Sequence, residues 1–222
     1  MTPSTTLFLP ILPEFPKLSY PMDALSPYLS GETLCFILQG ILPEYYQKFN
    51  DLKKHLLSQH PDDYPAKTLS LSDYLSQHIT ATPLSRYATE IYHHAFWLAS
   101  LKKDGGGLPH SDFLAKILRD FGSFEKFQAE FVKHATDAHS LDAHWLWLVS
   151  DSQDKLSVTT SSHTSPLAHG VKPLIACNLW QHAYYLDYRE RKGDYVQTFL
   201  TKLINWQHAE STFYDPNAWQ WD

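Results

Sequence analysis

Apolar residues along the chain follow two different rhythms. In the first half they recur at helical spacing: Leu34, Ile37, Leu38 and Ile41, then Tyr45, Phe49, Leu52 and Leu56, and again Ile91, His94, Ala95, Leu98 and Leu101. This predicts two long helices with one apolar stripe each, the second running from about Leu84 to Leu101 with His94 on its inner stripe and His93 about 100° round from it. Residues 1–29 are Pro-rich and read as extended and turn-like. They end at Ser30, where SGET has the form of a helix N-cap with an acid in the first turn. Gly40 and Pro43 are poor helix-interior residues, so a kink or restart is expected near 43.

After Asp104-Gly105-Gly106-Gly107-Leu108-Pro109, the strongest punctuation in the chain, the rhythm changes. Two helices are expected from Ser111 and Ser123, each opened by a capping serine. Three strand-like runs follow at 143–150, 155–161 and 173–179, the first two joined by the turn DSQD. Helical patterns resume from Gln181, and once more from Tyr195 to Ala209. The expected fold class is α+β: an N-terminal antiparallel helical hairpin over residues 1–106, then an α/β domain over 107–222 with a three-stranded antiparallel sheet.

Composition narrows the function classes. A chain of 222 residues with seven Trp and thirteen Tyr but only eight Gly can bury a sizeable core. The net charge of −6 comes without a block of like charges, so nucleic-acid binding through bulk electrostatics is not expected. No stretch reaches the ~18 apolar residues of a membrane span. Two cysteines, Cys35 and Cys177, make no disulfide framework and suggest a reducing compartment. The N-terminus resembles neither a signal peptide nor a transit peptide, so the expected location is cytoplasmic, or mitochondrial if a presequence has been removed. Trp219 and Trp221 in the tail suggest packing back on the chain or a docking segment.

Candidate chemistry begins with His94 and His182, two histidines far apart in sequence that could converge on a metal. Alone the pair is weak, because a histidine on an apolar helix face is more often a hydrogen-bonded core residue. The surrounding segments add weight. YPMDALSPYLSGETLCF at 20–36 resembles Y-x-x-D-A-L-x-P-x-I-S-x-E-T-x-E-F/Y, the opening of the iron and manganese superoxide dismutases. YHHAFW at 92–97 resembles their W-N-H-x-F/L-F/Y, and FGSFEKFQAEF at 121–131 their F-G-S-F/L-x-x-F-x-x-x-F. HWLWLV at 144–149 is similar to G-W-x-W-L-V, and NLWQHAYYLDYR at 178–189 to D-V-W-E-H-A-Y-Y-x-D/Q-Y/F-R/K. The resemblance is collinear from about residue 17 to 209.

The resemblance implies a metal held between two domains by three histidines and one aspartate. Two ligand positions match, His94 and His182. The first-helix histidine falls on Ile37, and the aspartate that opens D-x-W-E-H falls on Asn178. Asn offers a neutral carbonyl oxygen in place of a charged carboxylate, and Ile offers no ligand at all. The positions of H-x-x-K-H-H that line the family's substrate funnel read Gly40, Ile41 and Leu42, and the glutamate that reaches across the family dimer is Gln181. Tyr45 keeps the funnel tyrosine position, Trp145 and Trp147 the aromatic walls, and Tyr185 and Arg189 the helix after the last ligand. The two positions that can supply the glutamine bonded to metal-bound solvent carry Glu90 and His163. Glu90, His94, His163 and His182 are therefore a candidate displaced site suited to zinc or iron. Cys35 and Cys177 lie near the failed positions but face away from them.

The leading expectation is a superoxide dismutase-like protein without dismutase activity, acting as a scaffold or interaction module; degenerate relatives of this kind serve in mitochondrial ribosomes. No cofactor is expected, or else iron or manganese, and less readily zinc. A homodimer or a protein partner is expected. The alternative is a metal-dependent dismutase or related oxidoreductase with a partial or displaced site.

Overall fold

The structure, a computed structural model, describes residues 10–11, 18–59, 69–70, 82–137, 143–162, 167 and 170–215. The first helix starts where SGET places it. In α1 (Gly31–Phe36) the N-cap Ser30 accepts from the Thr33 N–H, and the Asp187 carboxylate, far along the chain, accepts from both the Ser30 N–H and the Thr33 hydroxyl.

Of the kink or restart expected near residue 43, the structure shows a restart, with a new α-helical segment from Leu42. The chain runs through a π-helical turn, Ile37–Ile41, directly into α2 (Leu42–Gln59). In the wide turn the Leu42 N–H reaches back to the Ile37 carbonyl. Pro43 has no N–H to contribute, and one residue beyond a turn that already departs from the i→i−4 ladder that defect is accommodated.

A two-residue parallel pairing joins β1 (Pro10–Ile11) to β2 (Leu69–Ser70). The second long helix, α3 (Pro83–Ala99), opens on a Thr82–Ser85 capping box with Pro at its start. Leu84, Ala88 and Ile91, at spacings of four and three, bury their stripe with Phe49 from α2, and Tyr45, Leu52 and Leu56 pack around them. This is the helical hairpin the periodicity predicts.

Beyond the glycine-rich turn come α4 (Ser111–Phe121) and α5 (Phe124–Thr136). Ser123 caps α5 as expected. Ser111 does not cap α4: it is the first helical residue, His110 is the cap position, and the His110 N–H is taken by Glu210. The sheet is antiparallel with order β4-β3-β5: β3 (Trp145–Ser150), β4 (Leu156–Ser161) and β5 (Lys172–Asn178). Every residue of β3 is buried because it is the central strand. Its register sets Trp145 opposite Asn178 on one side and Ser161 on the other.

A 3₁₀ turn (Gln181–Ala183) and the short α6 (Tyr185–Tyr188) follow β5. The single helix expected over 195–209 is two. The first, α7 (Lys192–Thr198), ends in a second π-helical turn, Phe199–Leu203, and α8 (Trp206–Tyr214) restarts after a break. At the break Ile204 pairs with Leu101, and the Asn205 side chain caps α8 while donating to the Ala99 carbonyl. Gly105 and Gly106 press against this same segment. A Cβ on Gly106, whose φ is +83°, would lie 2.0 Å from the Thr201 carbonyl oxygen. The main core gathers α1, the C-terminal half of α3, the sheet, and α4 to α8.

Candidate functional site

The site forms where the middle of α3 meets the end of β5. From α3, Glu90 and His94 are one turn apart and project from the same face. From the sheet, Trp145 and Asn178 are cross-strand partners at the strand ends. From the turn after β5 come Trp180 and His182.

His94 and His182 meet directly, Nε2 to Nε2 at 3.0 Å, with their rings nearly parallel at 19°. His94 is fully buried, and its Nδ1–H donates to the Glu90 carbonyl oxygen at 2.7 Å. Burial drops the imidazole of His94 to about 3, helped by the neighbouring His182; burial and then His144 drop His182 to about 4. Both are neutral at physiological pH. Tyr45 stands edge-on to His94, with centroids 5.8 Å apart, and burial followed by the nearby Glu90 carboxylate pushes its hydroxyl up to about 12.

Glu90, the carboxylate of the candidate displaced site, is only 2% exposed. Its Oε2 accepts from two indoles, Trp145 Nε1 at 3.3 Å and Trp180 Nε1 at 3.2 Å. Burial raises its carboxyl to about 7, against the lowering pull of the indoles and Arg86. The 3.8 Å approach of Oε2 to His94 Nδ1 is no ion pair, since that imidazole is neutral and already donates to the carbonyl. Trp180 is itself held flat against His144, ring to ring at 3.6 Å.

The remaining ligand positions behave differently. Asn178 is fully buried. Its Oδ1 accepts from the Trp180 N–H at 2.9 Å, and its Nδ2 has no partner among the described residues. Ile37 is fully buried in the main core. His163 lies outside the described residues, as do Trp219 and Trp221. Cys177 is buried beside Tyr195, and both cysteines are free thiols.

Iron or manganese held by three imidazoles and a carboxylate does not fit these residues. Two imidazoles converge, the amide oxygen of Asn178 is already occupied by a backbone donor, and Ile37 supplies hydrocarbon. Among the described residues, no group of three or more His, Cys, Asp or Glu is placed to hold a metal ion.

Sequence reasoning missed the indole clamp on Glu90 and the burial of His93, which sits edge-on to Trp145 and Trp147 with centroids 5.2 and 4.7 Å away. One signal was available: two Trp N–H donors close to the site need acceptors, and Glu90 is the carboxylate one turn from His94.

A helical hairpin joined to a three-stranded antiparallel α/β unit, with a histidine pair at the junction of helix and sheet, defines a superoxide dismutase-type fold. Residues 109–212 match the family model described as iron/manganese superoxide dismutases, C-terminal domain. The chain is 35% identical over 201 residues to superoxide dismutase (Fe) of Synechococcus elongatus, covering 90% of this chain and 96% of that protein. It is 34% identical to superoxide dismutase (Mn/Fe) of Rickettsia conorii, covering 90% and 91%, and 34% identical to superoxide dismutase (Fe) 1, chloroplastic, of Arabidopsis thaliana, covering 85% of each. The chain belongs to the iron/manganese superoxide dismutase family. Among the described residues no helix is long and apolar enough to cross a membrane.

Proposed function

We propose that this chain is a member of the superoxide dismutase family that does not dismute superoxide and uses the fold as a scaffold or interaction module. One observation carries the reading: at the two ligand positions that fail in the sequence, a fully buried Ile37 and an Asn178 whose oxygen is taken by Trp180 stand where an imidazole and a carboxylate are needed. Without the carboxylate no negative charge offsets an oxidised ion, and redox cycling loses its poise.

Contact with a partner or a second copy has support in the surface. Phe36 on α1 and Tyr185 on α6, elements that pack against each other, are 51% and 47% exposed, with Leu186 exposed beside Tyr185. Two free thiols suit a reducing compartment, and we place the protein in the cytoplasm.

The second reading is an iron- or manganese-dependent dismutase, or a related oxidoreductase, that works with a partial site. The names of the relatives speak for it, since each is a superoxide dismutase named for iron or for manganese and iron. They give no support to an absence of metal.

Metal analysis of protein purified without added metal, together with a superoxide-consumption assay, separates the two. The proposal expects substoichiometric iron and manganese and consumption no faster than the spontaneous rate. Stoichiometric metal with fast consumption establishes the second reading.

A further inference from the structure

The proton positions in the histidine pair follow from what each nitrogen faces. A backbone carbonyl only accepts, so His94 Nδ1, 2.7 Å from the Glu90 oxygen, carries a hydrogen. In a neutral imidazole the other nitrogen is then bare, so His94 Nε2 is an acceptor. At 3.0 Å from it stands His182 Nε2, at ordinary N–H···N distance. Two bare nitrogens would set lone pair against lone pair in a buried site. We infer that His94 and His182 are joined to each other, with no ion between them, by a hydrogen bond from His182 Nε2–H to His94 Nε2, the second link of a directed chain that runs His182 to His94 to the Glu90 carbonyl. This inference rests on the non-dismutase reading above and deepens it, because it names what takes the place of the metal.

Charge and geometry agree with it. An ion held by both Nε2 atoms requires His182 to carry its hydrogen on Nδ1. It would also place two positive charges beside two neutral imidazoles and a neutral amide in a buried site, where uncompensated charge is expensive. The nearby carboxylate among the described residues, Glu90, lies on the Nδ1 side of His94 and is already committed to Trp145 and Trp180. The direct bond satisfies both facing nitrogens with a single hydrogen and adds no charge. The orientation of His94 that in a metal site fixes a ligand tautomer serves here to prepare an acceptor.

Nitrogen-15 NMR of the histidine-labelled full chain tests this, with metal content and superoxide consumption measured on the same sample. The histidine signals are assigned by His182→Gln, whose amide N–H still reaches the acceptor. The expected spectrum shows hydrogen on His94 Nδ1 and His182 Nε2, a bare His94 Nε2, and a scalar coupling between the two Nε2 nuclei. Addition of zinc, manganese(II) or iron(II) leaves it unchanged. A His182 protonated on Nδ1, in protein that is metal-free and inactive, overturns this inference and leaves the scaffold reading intact. Shifts of both Nε2 signals on addition of metal, reversed by a chelator, also overturn the inference. Stoichiometric metal with fast superoxide consumption removes both readings.

Discussion

The two walls of the site present different chemistry. The wall built by α3, Trp145 and the turn after β5 carries two imidazoles and ties its polar groups together: His94 on a carbonyl, His182 on His94, and two indoles on Glu90. The wall built by the first helix sets Tyr45 edge-on to His94 and is otherwise hydrocarbon around Ile37. It has the π-helical turn at Ile37–Ile41, and π-turns often mark functional sites, yet its residues are Ile, Leu, Gln, Gly and Ile. The comparison teaches that the polar groups of one site can be gathered on one wall while the facing wall is built from hydrocarbon. A buried polar residue whose neighbours depend on it is costly to replace, whereas a ligand that only the metal needs can be exchanged for hydrocarbon.

The largest effect expected from tampering with this contrast is the return of metal binding. Ile37→His combined with Asn178→Asp restores an imidazole and a carboxylate, and iron or manganese content should rise to stoichiometric in the double variant while each single change gives little. Equilibrium dialysis with elemental analysis reads this directly. No gain in the double variant would mean the surroundings of the site have been remodelled as well.

Next comes the anchored wall. Glu90→Leu leaves the Trp145 and Trp180 N–H groups buried without their acceptor, at about 1–3 kcal/mol for each. Urea unfolding should show a loss of about 2–6 kcal/mol, larger than that from any exposed substitution on α2. A loss under about 1 kcal/mol would show that the indoles find other partners.

The pH dependence is smaller and divides by sign. The folded protein holds the Glu90 carboxyl at about 7 through burial, above its unfolded range, so stability from this group is full below about pH 4.3 and is lost as pH rises through 7. Against Glu90→Gln, which keeps an acceptor for the indoles, the wild type should lose relative stability on the order of 3 kcal/mol across that window. The buried imidazoles His93, His94 and His182, lowered to about 3, 3 and 4, act in the opposite direction. Their stability is present above about pH 6.5 and is lost as pH falls. A pH-independent difference between wild type and Glu90→Gln would remove the Glu90 assignment.

The smallest expected effect is at the start of the first helix. Ser30→Ala removes the N-cap acceptor of α1 and should cost about 1 kcal/mol, seen as a lower urea midpoint with the slope unchanged.

Much of this was legible in the sequence. The stripe Ile91, His94, Ala95 and Leu98 predicts which face of α3 is buried, the strand-like runs on either side of DSQD predict a hairpin, and Ser30 and Ser123 announce their helices, because each signal depends on neighbours within one or two turns. That Ile37 and Asn178 offer hydrocarbon and a neutral amide is likewise readable from residue identity. The break at Ile204–Asn205 was not, since it is enforced by contacts with Leu101 and Ala99 a hundred residues away. Nor was the π-helical form of the turn at Ile37–Ile41, since propensity does not encode a wide turn.

Sequence by itself thus determined most of the elements, the family resemblance and the residue types at the site, Ile37 and Asn178 among them. Only the tertiary structure decided what the remaining polar groups do. The contact between His94 and His182 spans 88 positions and the Trp180–Glu90 bond 90. Such pairings arise because burying α3 against the sheet removes water from these groups and leaves them only one another as hydrogen-bond partners.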